Sequence, residues 1–142
     1  MRILLAVDGS KHSLNAVKYL IGHAGSYRKK PAIELVYVHP PVPRLPGMGL
    51  AVSASQVRSY YDQEGKAALS KARKLLDARR IPYVARILVG SMAETIVKQA
   101  RLARCDLIMI GTRGMTATGN LLLGSTATKV LHVSPVPVLL VK

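Results

Sequence analysis

The stretch "DLIMIGTRGMTATGNLLLGS", residues 106–125, decides the fold. It begins with a continuous apolar run of the length of a strand buried on both faces. Glycines then stand at 111, 114, 119 and 124, before "TATKVLHV" takes up a helical pattern that Ser125 is placed to cap. Every glycine adds to the chain entropy lost on folding, so a segment this rich in them, set between two ordered elements, is expected to serve a purpose. "VPVLLV" at 136–141 follows as another apolar strand. Strand, glycine-rich turn, helix and strand together form one βαβ unit.

The same alternation runs through the rest of the chain. "ILLAV" (3–7) predicts a first strand, and after "DGS" the residues Leu14, Val17, Leu20, Ile21 and Ala24 recur at helical spacing. "AIELVYV" (32–38) predicts a second strand. Four prolines and two glycines in "HPPVPRLPGMGLAVSAS" then rule out regular structure to about residue 55. Tyr61, Gly65, Ala68, Ala72, Leu75 and Leu76 mark a second helical face, and "YVARILV" (83–89) a third strand. Ser91 and Glu94 have capping-box spacing before a helix whose inner face is Ile96, Val97, Ala100 and Ala103. The prediction is a single domain over residues 1–142. Its fold class is α/β: one open, mostly parallel five-stranded sheet with helices on both faces. Ligands of such sheets bind beyond the carboxyl ends of the strands, where the winding reverses.

Composition narrows the function. With 142 residues the chain can bury its own core, and with no Phe or Trp that core is aliphatic. The amino-terminal apolar run stops at Asp8, too short for a signal peptide or membrane span, so no membrane insertion and a cytoplasmic location are expected. Cys105 stands alone, which excludes an internal disulfide. Twenty-one Lys and Arg against seven Asp and Glu attract anions without choosing among them. These cations fall in short clusters at 28–30, 71–74, 79–80 and 101–104, with no aromatic residues interleaved as a stacking platform requires. A solvated basic surface is therefore favoured over a nucleic-acid interface.

Two residues separate Gly111 from Gly114, and nine more lead to Gly124 and Ser125. This G-x2-G-x9-G-[ST] spacing resembles the ATP-binding signature of the universal stress protein family. "ILLAVDGS", "ELVYVH", "GSMAETIVKQA", "DLIMIGTRG" and "SPVPVLLVK" resemble that family in its order. The resemblance implies a Rossmann-like sheet of the adenine nucleotide alpha hydrolase type, with strand order 3-2-1-4-5. It also implies ATP as cofactor, with magnesium left open, and a homodimer through strand 136–141. The expected role is nucleotide-dependent signalling in a stress response, with at most slow hydrolysis, exerted through segment 40–56 or the dimer. An ATPase or nucleotidyl-transferring enzyme on the same sheet, and a basic module binding nucleic acid or an acidic partner, are the competing classes.

Physical chemistry supplies reasons for the matched positions. Gly111 and Gly114 would form one backbone wall around a phosphate chain, Gly124 and Ser125 the other, at the positive end of a helix. Arg113 can add a charge-assisted bond to a phosphate oxygen. A plain glycine-containing connection is the alternative. Asp8 could orient a ribose hydroxyl, hold magnesium or cap the following helix, and the resemblance favours nucleotide contact. Val38 would meet the adenine through its backbone groups and apolar side chain, with Val7 and Thr126 as neighbouring walls, again on the resemblance. A Walker A loop and a G-x-G-x-x-G fingerprint are both absent from the sequence, and histidines 12, 23, 39 and 132 lack metal-ligand spacing.

Overall fold

The computed structural model describes residues 1–43, 53–113 and 123–142. Strands β1 (Arg2–Ala6), β2 (Ala32–His39), β3 (Tyr83–Val89), β4 (Leu107–Gly111) and β5 (Val138–Val141) alternate with helices α1 (Lys11–His23), α2 (Ala54–Ala78), α3 (Met92–Leu102) and α4 (Ser125–Val133). A short 3-10 turn, Ala24–Ser26, follows α1. All four strand pairings are parallel and the order is β3-β2-β1-β4-β5. Leu5 of β1 lies between Leu35 of β2 and Met109 of β4.

Alternation along the central strand explains the layers. Ile3 and Leu5 point into a cluster with Ala16, Val17 and Leu20 of α1 and Leu69, Ala72 and Leu76 of α2. Leu4 and Ala6 point the other way, toward Ala93, Ile96, Val97 and Ala100 of α3 and Val130 of α4. Two helices on each face follow from right-handed crossovers that run outward from β1 to β3, then return to β4 and β5. The winding thus reverses between β1 and β4.

Local chemistry departs from expectation at the helix starts. Ser91 and Glu94 do not form a capping box: the Ser91 hydroxyl donates to the Glu94 carboxylate, which also accepts from Lys129 of α4 at 2.5 Å. The carboxylate thus takes the Ser91 hydroxyl and the lysine of the neighbouring helix, and the Ser91 side chain accepts nothing from the helix backbone. A true capping box opens α2, where Ser53 Oγ accepts from Gln56 N at 3.2 Å and Gln56 Oε1 from Ser53 N at 2.8 Å. The cap of α4 is Gly124, and Ser125 is the first helical residue. Asp106 stays outside β4, because its carboxylate accepts from Arg2 N at 2.7 Å. On α1, Ser13 and Ala16 are buried beside Val17 and Leu20, while Ala24 falls in the 3-10 turn. The last strand is shorter than expected, Val136 and Pro137 preceding it.

Candidate functional site

Three turns meet at the carboxyl end of the sheet. After β1 the chain makes an Asx turn, Asp8 Oδ1 accepting from Ser10 N at 2.9 Å, and Ser10 Oγ caps α1 by accepting from Ser13 N at 3.1 Å. Gly9 between them has φ +83, and a Cβ there would lie 3.2 Å from Ala68 Cα on α2. After β4, Thr112 donates its N–H to Val141 O at 2.9 Å and accepts from Gly124 N at 2.7 Å. That second bond closes the glycine segment at its base and delivers the start of α4 beside β4.

These turns enclose a cleft of about 540 Å³. Its floor is apolar: Val7 and Val38 are buried, with Val36, Ile96, Ile110 and Ala127 around them. Its polar side carries Asp8, Arg113, Gly124, Ser125 and Thr126. The first turn of α4 holds no acidic residue, and among the described residues no side chain caps it, so the helix brings its leading N–H groups and the positive end of its dipole there. Gly111 also lines the cleft, but its missing side chain has a second reason. A Cβ at Gly111 would stand 2.6 Å from His12 O and 2.9 Å from Ser13 N, so glycine lets β4 dock against the first turn of α1. Gly114 lies outside the described residues. The other eight expected residues come together: Val7, Asp8, Val38, Gly111, Arg113, Gly124, Ser125 and Thr126 all line the one cleft.

The mouth holds residues that sequence reasoning missed. The His39 ring sits 5.1 Å from Tyr61, 5.4 Å from Tyr60 and 6.2 Å from Tyr37. Tyr61 accepts from Val42 N at 2.8 Å, fastening the start of the long loop to α2. Burial, then the Glu64 carboxylate, push the Tyr37 phenol above its ordinary value of 10.0. The alternation of β2 placed His39 and Tyr37 at a strand's carboxyl end, but α2, which completes the cluster, is distant in sequence.

A model of the universal stress protein family matches residues 1–142. The chain belongs to the universal stress protein family. Universal stress protein MJ0531 of Methanocaldococcus jannaschii is 35% identical over 99% of this chain and 81% of its own length. A universal stress protein of Thermus aquaticus, from the QAH/OAS sulfhydrylase 3′ region, is 34% identical over 99% of this chain and 97% of its own. Among solved structures, hypothetical protein MJ0577 superimposes with TM-score 0.79 at 26% identity, covering 99% of this chain and 94% of its own. Two more share the fold at lower identity. An Arabidopsis thaliana family member solved with AMP bound has TM-score 0.71 at 15% identity, covering 100% and 91% of the two chains. A universal stress protein in complex with cAMP has TM-score 0.64 at 24%, covering 99% and 94%. No helix among the described residues is long and apolar enough to cross a membrane.

Proposed function

We propose that this family member binds an adenine nucleotide, ATP, in the cleft beyond β1, β2 and β4, and that the bound state serves as a stress-response signal. The observation that carries the proposal is the union, in one cleft, of the α4 N-terminus, the Arg113 guanidinium and an apolar floor. Such a cavity suits a ligand that is anionic at one end and flat and apolar at the other. The AMP and cAMP complexes of fold neighbours support the adenine assignment. Adenine would lie against Val7 and Val38, the ribose by Asp8, and the phosphates at Gly111, Gly114, Gly124, Ser125 and Thr126, with Arg113 pairing a phosphate oxygen. Asp8 would hold a magnesium ion, which would supply positive charge to offset that of the phosphates, since hard cations take carboxylate oxygens.

Asp8 is the only carboxylate among the described residues lining the cleft, and it already accepts from Ser10 N. A base that positions water at a γ-phosphate is a separate requirement of rapid hydrolysis. The proposed role is accordingly binding with slow turnover. The signal would leave the protein through segment 40–56 or through a homodimer formed along β5, in the cytoplasm. Calorimetric titration with ATP, AMP and cAMP, beside mass spectrometry of nucleotide released from gently purified protein, tests this. Intact ATP released and ATP bound most tightly is the expected result; no uptake of any of the three overturns it.

A further inference from the structure

The basic clusters are scattered in sequence but not in space. In a parallel sheet every helix-to-strand connection returns to the amino ends of the strands, on the side opposite the cleft. Arg79 and Arg80 lead into β3, Arg28, Lys29 and Lys30 precede β2, and Arg104 leads into β4. Because β3, β2, β1 and β4 are neighbours in that order, these six cations fall in a row. The row crosses about 15 Å at about 4.8 Å per strand. All six are exposed, and none takes part in the four ion pairs found among the described residues. The nearby Asp106 is engaged by Arg2 N and the terminal amine. Asp77, in the last turn of α2, and Glu34, paired with Arg86 at 2.8 Å, are further carboxylates toward this end.

Backbone geometry adds an independent observation. Arg80 and Arg104 have φ of 53° and 52°, the left-handed conformation at a helix end that glycine normally fills. Both close the turn by the same device: Ile81 N donates to Leu76 O and Cys105 N to Ala100 O. The chain thus holds a guanidinium at two positions where the backbone alone favours glycine. Tyr27 and Tyr83 pack against the core, and the exposed Tyr19 ring is already stacked on His23, so no row of open rings accompanies these cations among the described residues.

We propose that this amino-end face binds the sugar-phosphate backbone of double-stranded nucleic acid without reading its sequence. Duplex DNA carries one charge per roughly 1.7 Å of axis, so a row about 15 Å long faces several phosphates at once. The face is remote from the cleft, and the proposal is independent of nucleotide binding.

The test compares two variants of equal net charge by fluorescence anisotropy on a short labelled duplex of random sequence. One carries Arg28→Gln, Arg79→Gln and Arg104→Gln. The other carries Lys11→Gln, Arg58→Gln and Lys66→Gln, nearer the opposite end. The first should bind roughly tenfold or more weakly, with the slope of log K against log salt shallower by about 0.9 for each phosphate no longer neutralised. The second should stay within roughly twofold of the parent. Circular dichroism and ATP titration report whether each variant is folded. Equal weakening in both variants, no duplex binding by the parent, or binding only to phosphatidylserine vesicles through the same arginines would each overturn the proposal.

Discussion

The backbone N–H of Gly124 donates to the carbonyl of Thr112 at 2.7 Å, and the N–H of Thr112 donates in turn to Val141 O at 2.9 Å. The start of α4 is thereby tied to β4, and β4 to the edge strand, by two bonds in series. The α4 end of the cleft is as well placed as β4 itself, which makes substitutions at β4's end informative.

Gly111→Ala should destabilise the fold. Its Cβ would meet the carbonyl of His12 at 2.6 Å, a backbone contact that cannot rotate away. Overpacking of this kind costs about 1–3 kcal/mol, read as a lower urea midpoint at unchanged slope. An unchanged midpoint would show that α1 can withdraw freely.

Arg113→Ala separates phosphate binding from base binding. ATP affinity should fall roughly tenfold, the loss of about one charge-assisted hydrogen bond, while adenosine affinity stays within a factor of about two. Calorimetry with both ligands decides. Equal losses would take Arg113 off the phosphate.

Arg104→Gly should stabilise the protein by about 0.5–1 kcal/mol, because glycine adopts φ near 52° without the steric cost that a Cβ brings. Arg104→Val should do the reverse. Denaturant midpoints of the two variants, bracketing the parent, are the measurement.

The Glu94 carboxyl is held down to about 2, first by Lys129 and then by Ser91. A depressed folded-state pKa gives stabilisation that is complete above the ordinary value of 4.5 and is lost as pH falls toward about 2. Glu94→Gln should therefore lower the neutral plateau of a stability-against-pH curve and flatten that part of its acid limb, the two curves converging as pH falls toward about 2. Both side chains are about half exposed, so high salt should shrink the difference.

Pro137 and Val141 direct their carbonyls to β4, accepting from Ile108 and Thr112. Alternation then turns the N–H groups of Val138 and Leu140 outward. Pro137 consequently does not interrupt the outward edge of β5. Val138 and Leu140 pack their side chains against the core, so charged replacements would disturb the fold along with any interface. Leu140→Pro removes one outward donor and keeps the β4 ladder. If the proposed β5 dimer forms, sedimentation should show this variant as a monomer and the parent as a dimer.

Elements were legible where one periodicity dominated. β1 and β4 are buried on both faces, and their uninterrupted apolar runs marked them to within a residue. The starts of α3 and α4 were not legible, because each depended on a partner elsewhere: Lys129 for Glu94, the Thr112 carbonyl for the Gly124 N–H. The cleft residues from Val7 to Thr126 were marked by the family signature, whereas the His39 cluster needed α2 to arrive from a distant part of the chain. The basic row was hidden for the same reason, since the strand order that aligns its clusters is not the chain order.

The aromatic cluster at the cleft mouth has a spectroscopic consequence. The chain has six tyrosines and no tryptophan, and Tyr37, Tyr60 and Tyr61 all surround His39. Half of the protein's intrinsic emitters therefore report on one place, with no indole to drain their excitation. A molecule entering the cleft or shifting the Val42–Tyr61 hydrogen bond should alter tyrosine emission directly, so occupancy can be followed by light from the unlabelled protein.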